Sequence, residues 1–410
     1  MAALEAGSAA VDDVLRCALE DPRVDRALEA RGRYLGELFA RLDVPAEPLV
    51  RALGADEEER LGHEVLAAAA AFGHGAARAL VDDAAAPLEL RAAVAGWLVE
   101  WEVVAPVGLA APVRARVMDG LLAYADSAVA ARGARPRPLE PLDGRSVEEL
   151  LELAREARLA RQDRLVEALA ARSSPADREH LWACVRSDLV HGRVRAAARA
   201  LGAMGDERGL DLCEDLFARA DGEAGAPSEL TGFERMRRSA LAAYANKLPA
   251  QLQLQLARGW HPRGGYFAVV AGTMLEEHAT PDDRAYLERY VAEQLACGTG
   301  WEVLSELDAL RRIGDARTAP LFVAVAEQAD YSHARRRAVH ALALHAKEAG
   351  AAAGPLREAL WDCEDEAAAD ACGFLPTLDE AARSRVKALA AATAADVELR
   401  ERAARRLARR

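Results

Sequence analysis

The residues best able to hold a metal are three neighbouring His/Glu pairs: His63-Glu64 and, in reverse order, Glu179-His180 and Glu277-His278. Imidazole and carboxylate are natural ligands for transition metals, but a centre needs several of them converging on one point. One pair in the forward order does not supply that set, and no metal site is expected. Cysteine adds none, because Cys17, Cys184, Cys213, Cys297, Cys363 and Cys372 form no C-x-x-C pair and no compact spacing. They read as buried free thiols rather than as a disulfide framework. The chain contains no G-x-x-x-x-G-K-[ST], no G-x-G-x-x-G after a strand and no H-E-x-x-H. No catalytic residue and no cofactor is therefore assigned.

Binding chemistry has better candidates. Trp97 and Trp101, in GWLVEWEVV, stand four residues apart and so share a helix face, with Glu100 and Glu102 beside them. Large aromatics at that spacing pack between helices or present a flat contact surface. The stretch RGWHPRGGYF brings Trp260, His261, Arg263 and Tyr266 together, with Arg258, in a Gly- and Pro-rich turn that reads as a non-helical loop. In HARRRAVHALALHAK, Arg336, His340 and Lys347 fall on one helical stripe that would meet an acidic partner or a phosphate, or simply face water.

Charge is distributed in blocks. The C-terminal LRERAARRLARR carries Arg400, Arg402, Arg405, Arg406, Arg409 and Arg410, suited to a helix C-terminus or to an anionic partner. Acidic runs at Asp56 to Glu59 and at Asp362, Glu364, Asp365 and Glu366 read as solvated faces that would suit a basic ligand. The chain as a whole carries a net charge of -13, which works against general affinity for nucleic acid.

What positions these residues is an all-α scaffold. Of the 410 residues, 51% are hydrophobic and 29% charged, enough apolar surface to fold, while aromatics are only 5% and alanine recurs throughout. Alanine is the best helix former, so composition favours helices. ALGAMGDERGLDL at 200 to 212 is echoed by ALRRIGDARTAPL at 309 to 321, which aligns Gly205-Asp206 with Gly314-Asp315, Arg208 with Arg317 and Leu212 with Leu321. The two glycines stand 109 residues apart, room for three units of roughly 36 residues, a length common among helical repeats.

The intervening segments 236 to 257 and 266 to 293, and the later ones at 334 to 360 and 366 to 390, each read helix, break, helix. Asp206 and Asp315 follow a turn glycine and are expected to cap the next helix. Ser174-Pro175, Thr280-Pro281 and Pro87 mark further helix starts. Residues 60 to 84 repeat the pattern more weakly, with Gly73 and Gly75 at the turn.

Pro136, Pro138 and Pro141 forbid a regular helix between 132 and 146. The reading is an N-terminal helical region over 1–131, a Pro-rich boundary over 132–146 and a C-terminal array over 147–410. MAALEAGSAAVDDVLRC offers neither a basic start nor an apolar run for a secretion signal, and VVAPVGLAAPV at 103 to 113 is short and broken by Pro106 and Pro112. A cytoplasmic protein with no membrane span is expected.

The runs VRAAARALGAMGDERGLDLCEDLF and LDALRRIGDARTAPLFVAVAE resemble the prokaryotic HEAT-like repeats, also called phycobilisome-lyase-type repeats, whose turn is usually Leu-Gly-x-x-Gly-Asp. The resemblance implies an α-solenoid of stacked antiparallel helix pairs with an extended concave face that binds macromolecules, and no shared chemistry. The preferred reading is a non-catalytic scaffold or adaptor for a protein or peptide partner. Alkylpurine DNA glycosylases of HEAT-like build use tryptophans and an acidic residue in a basic cleft, so a nucleic-acid or DNA-repair protein is the first alternative. A lyase or modification-enzyme subunit, by analogy with bilin-attaching relatives, is the second. Deoxyhypusine hydroxylase, which holds two irons with multiple His-Glu pairs, is disfavoured by the single forward pair at His63-Glu64.

Overall fold

A computed structural model of the chain describes residues 7–20, 31–53, 60–101, 103–105, 108–118, 142, 144–155, 159–221, 231–345, 352–392 and 395–409. Every regular element among them is helical, and no strand occurs among the described residues. None of these helices is long and apolar enough to cross a membrane. Most of the Pro-rich stretch 132–146, the acidic run 56–59, Lys347 and Arg410 lie outside the described residues.

In chain order the first helices are α1 (Val11–Glu20), α2 (Arg31–Leu42), α3 (Glu47–Leu53), α4 (Arg60–Ala71), α5 (Gly75–Leu80) and α6 (Leu88–Glu100). The middle of the chain forms α7 (Val147–Arg155), α8 (Leu159–Ala170), α9 (Pro175–Ser187), α10 (His191–Ala203), α11 (Leu210–Asp221), α12 (Gly232–Ala245), α13 (Ala250–Trp260) and α14 (Gly265–His278). There follow α15 (Arg284–Ala296), α16 (Leu304–Ile313), α17 (Ala319–Gln328), α18 (Ser332–His345), α19 (Ala353–Ala359), α20 (Asp365–Phe374), α21 (Glu380–Ala391) and α22 (Val397–Ala408).

The starts are set by local chemistry. Ser174 Oγ accepts from Asp177 N at 3.1 Å with Pro175 as the first helical residue of α9, and Thr231 with Glu234 forms a reciprocal capping box on α12. Each arrangement occupies amide donors that the first helical turn leaves without partners. His74 does the same for α5: its Nδ1 accepts from Ala77 N at 3.1 Å and its Nε2 donates to Val44 O at 2.9 Å.

The echoed sequence repeats the same Asp-x-Arg contacts on two different backbones, with a 3-10 turn over Glu207–Gly209 in the first copy alone. Arg208 N donates to Asp206 Oδ1 at 3.2 Å and Arg208 Nη2 to Asp206 Oδ2 at 2.7 Å, while Arg317 N and Nη2 reach Asp315 at 2.8 and 2.7 Å. The copies differ in surroundings. Asp206 lies under Trp182, whose Nε1 donates to it at 3.2 Å, and its own carbonyl accepts from Tyr244 Oη at 2.5 Å; the Asp315 and Arg317 side chains stay largely in solvent. Gly205 enters the turn at φ 65°, a conformation that a Cβ would strain.

The helices gather into two compact units. The first comprises Met1–Arg135, Tyr290–Leu304 and Asp315–Arg410; the second, Pro136–Arg289 and Ser305–Gly314. In both, a helix touches its successor and also the helix two places on: α8 meets α10 and α10 meets α12 in the second unit, and α2 meets α4, α4 meets α6, α18 meets α20 and α20 meets α22 in the first. Close approach demands small residues. A Cβ on Gly202 of α10 would stand 2.2 Å from the Tyr244 carbonyl oxygen of α12, inside any permissible contact.

The first unit joins segments from opposite ends of the chain. Arg385 of α21 pairs with Glu37 of α2, and Arg33 of α2 pairs with Asp365 of α20, with Glu37, Arg33 and Arg385 all buried. Arg385 Nε also donates to Leu360 O at 2.9 Å. Burial lowers the Arg33 pKa from its ordinary value, and the nearby Arg385 charge pushes the same way.

Candidate functional site

The RGWHPRGGYF stretch is mostly helical rather than a loop. Trp260 ends α13, His261–Arg263 form a single 3-10 turn, and α14 begins at Gly265. Pro262 suits the start of that turn because its fixed φ is already helical, and the chain reverses only at Gly264 and Gly265, with φ 74° and 56°.

The four candidate residues there divide between two places. Trp260 is buried against Phe217 and Phe267, with ring centroids 5.7 Å from each and Nε1 donating to Glu214 at 2.8 Å. Arg263 reaches the other oxygen of Glu214 at 2.5 Å and lies 3.5 Å over the Phe267 ring. Tyr266 packs on Phe217 at 5.0 Å and carries the Arg238 guanidinium 4.3 Å above its ring. The result is an aromatic knot around Phe217 with arginines on its rim.

His261 turns inward instead. Its Nδ1 stands 2.7 Å from Tyr286 Oη and its Nε2 2.7 Å from Glu306 Oε1, with the His261 and Glu306 side chains both buried. With its proton on Nε2 the ring donates to Glu306 and accepts from Tyr286, a chain of bonds that leaves neither buried group unsatisfied.

In the first unit, Trp97 and Trp101 meet at the end of α6 with centroids 5.4 Å apart and pack, half-buried, on the N-terminal core. Arg336 pairs with Glu366, while His340 Nδ1 lies 2.7 Å from Asp370, which also accepts from Arg402 at 2.8 Å. Three of the terminal arginines are answered internally: Arg402 and Arg405 by Glu398 and Glu401, Arg406 by the carbonyls of Leu375 and Pro376. The acidic run from Asp362 is not the solvated face expected. Asp362 binds Arg335 at 3.1 Å, Glu364 accepts from Ser332 Oγ at 2.5 Å and Asp365 pairs with Arg33, leaving Glu366 as its exposed member. Drawing three carboxylates inward is made tolerable by donors from α2 and α18, distant from them in sequence.

A concave site that the spacing of residues did not mark lies in the first unit. Arg31 and Tyr34 of α2, Glu327 of α17, Arg335 and Val339 of α18, Pro355 and Glu358 of α19, and the turn Trp361-Asp362-Cys363 surround a cleft of about 400 Å³. Arg335 is locked in its wall: Nε donates to Asp362, Nη1 to the carbonyls of Ala329 and Asp330 at 3.0 and 2.9 Å, and Nη2 approaches Cys363 Sγ at 3.6 Å. Arg31 Nη2 donates to the same Asp330 carbonyl at 2.8 Å. Burial, reinforced by the Asp362 charge, pushes the Cys363 thiol pKa well up, and burial with Cys363 and Asp362 raises that of Tyr34. Both groups keep their protons at neutral pH, and a protonated thiol is a poor nucleophile.

The same cleft presents groups ready for a ligand. Among the described residues neither Tyr34 Oη nor Trp361 Nε1 makes a hydrogen bond, and the exposed carboxylate of Glu327 forms no ion pair. In the sequence Trp361 reads as one of several dispersed core tryptophans, and nothing in the spacing of Tyr34, Glu327 and Glu358 sets them apart. The acidic run adjoining Trp361 does not mark the site either, since only Asp362 of that run lines the cleft and its charge is spent on Arg335.

No family model, curated protein or solved structure matches the chain. The fold and the cleft define an all-helical protein of two units in which a concave site combines aromatic walls, locked guanidiniums and exposed carboxylates.

Proposed function

We propose that the chain is a non-catalytic adaptor of HEAT-like repeats whose first unit receives a segment of a protein partner in the cleft between α2 and α17–α19. The observation that carries this reading is the pair of unbonded polar tips, Tyr34 Oη and Trp361 Nε1, on the wall of a cleft with a partly apolar lining. Such a tip, left dry, loses its bond to water; a backbone amide or carbonyl of an extended segment replaces that bond. The protonated state of Cys363 and Tyr34 supports binding over covalent chemistry. The repeat assignment is supported by the recurring Asp-x-Arg contacts and by helices that contact the helix two places on. The six free cysteines fit work in the cytoplasm.

Selection of a random peptide library on the immobilised chain tests the reading. Enriched sequences should lose binding to Trp361→Ala and Tyr34→Phe; enrichment that survives both substitutions would refute it.

A second observation favours the nucleic-acid alternative: Arg402, Arg405, Arg406 and Arg409 border a hollow of about 360 Å³ beside Gly373 and Phe374. Retardation of duplex DNA that falls steeply with salt and disappears in Arg405→Ala/Arg409→Ala would support it.

A further inference from the structure

We infer that the segment bound in this cleft inserts a cationic side chain, lysine or arginine, between Trp361 and the carboxylates of Glu327 and Glu358; the inference rests on the adaptor reading above. Of the two guanidiniums at the cleft, Arg335 offers a ligand carboxylate little, and Arg31 holds its Nη2 on a backbone carbonyl. Arg335 already donates to Asp362, two carbonyls and a sulfur, and Arg31 to the Asp330 carbonyl. The carboxylates differ. Glu327 has no ion-pair partner among the described residues, and Glu358 has only Arg357 at 4.0 Å. Both are exposed, on different helices, and both line the cleft.

With Asp362 neutralising Arg335, the lining sets two carboxylates, Glu327 and Glu358, against the single charge of Arg31, and so keeps a net anionic edge beside aromatic and aliphatic walls. Lysine and arginine match that combination, because their methylene stems lie along apolar surface while the charged head stays hydrated at the rim. The indole Nε1 donates only, so it meets a carbonyl of the same segment. The net charge of -13 steers a basic segment toward the chain before any contact forms.

The test uses capped octapeptide libraries, random except for a central residue fixed as arginine, lysine, glutamate or norleucine, selected on the immobilised full chain at physiological salt. The arginine and lysine libraries should be retained over the other two. Glu327→Gln/Glu358→Gln should weaken their retention by about five-fold or more, two partly exposed ion pairs being removed together. The control Glu207→Gln/Glu277→Gln, which neutralises two exposed carboxylates of the other unit, should leave retention unchanged. Equal loss in the control would trace the preference to overall charge and overturn the inference. Retention of the norleucine or glutamate library with loss in Trp361→Ala would overturn the cationic occupant while sustaining the adaptor reading. No retention of any library would overturn both. All four carboxylates are exposed, so the variants should keep the wild-type thermal transition.

Discussion

Arg385 donates to Glu37 across 348 residues of chain, and both side chains are almost completely buried, at 3% and 5% exposure. This pair ties the early helix α2 to the late helix α21, and its surroundings explain why it is paired so fully. Glu37 also accepts from Arg41 at 2.7 Å, and Arg385 spends its Nε on the Leu360 carbonyl. Removing one partner strands a charge in the interior, whereas removing both strands none. Glu37→Leu or Arg385→Met alone should cost about 3–5 kcal/mol. The double replacement should cost distinctly less than the sum of the two. Urea unfolding of the four chains, analysed as a double-mutant cycle, measures the difference.

Acid sensitivity should concentrate at the buried copy of the repeated turn. Hydrogen bonds from Arg208 hold the Asp206 carboxyl below the usual carboxylate range, with further help from Trp182. A depressed folded-state pKa contributes stability that is present above the unfolded value of about 3.9 and fades as pH falls through the lower folded value. Asp206→Asn should therefore lower the urea midpoint at pH 6 and flatten its decline between about pH 5 and pH 2, the window in which an aspartate so held gains its proton. The corresponding Asp315→Asn, at an exposed turn, should change either quantity little.

Gly202 and Gly96 should respond in opposite directions to the same substitution. Gly202→Ala drives a methyl toward the Tyr244 carbonyl, whereas a Cβ at Gly96 of α6 meets open space. The first should destabilise by about 1–3 kcal/mol through overpacking. The second should stabilise by about 0.4–1 kcal/mol through loss of unfolded-state entropy. Thermal melts of the two variants against the parent read both signs.

His261 and Arg263 are neighbours in the sequence with different roles. His261→Leu leaves the buried Glu306 carboxylate facing an apolar side chain and should cost about 3 kcal/mol or more. Arg263→Ala, at the partly exposed rim of the aromatic knot, should cost about 1 kcal/mol or less. Chemical denaturation separates them, and equal losses would contradict the inward placement of His261.

Thiol reactivity should follow burial. Cys297 is exposed, while burial raises the pKa of Cys184 to about 12 and that of Cys372 to about 11 and pushes those of Cys213 and Cys363 up as well. Iodoacetamide should alkylate Cys297 of the native chain well before these four, which should react only on unfolding. Peptide mapping by mass spectrometry gives the order.

Local features were legible in the chain itself. Ser174 before Pro175, the Gly-Asp-x-Arg echo, and the break within 236 to 257 each name a helix end, because caps and turns are decided by residues within a few positions of one another. The stretch from Trp260 to Tyr266 reads in the sequence as one non-helical loop; neither its helical setting nor the separation of His261 from Trp260, Arg263 and Tyr266 was legible, since Gly and Pro mark a reversal without saying how much helix adjoins it.

The sequence by itself thus determined an all-helical chain, its main turns and its overall charge. Only the tertiary structure decided that Arg33 and Glu37 meet Asp365 and Arg385, that three of the acidic residues from Asp362 to Glu366 are drawn inward, and that Tyr34 and Trp361 share one cleft. The physical reason is range: a helix encodes which of its faces is apolar, but not which of many similar alanine-rich faces will cover it. That choice is settled by side-chain volume and by the pairing of buried charges among segments more than three hundred residues apart.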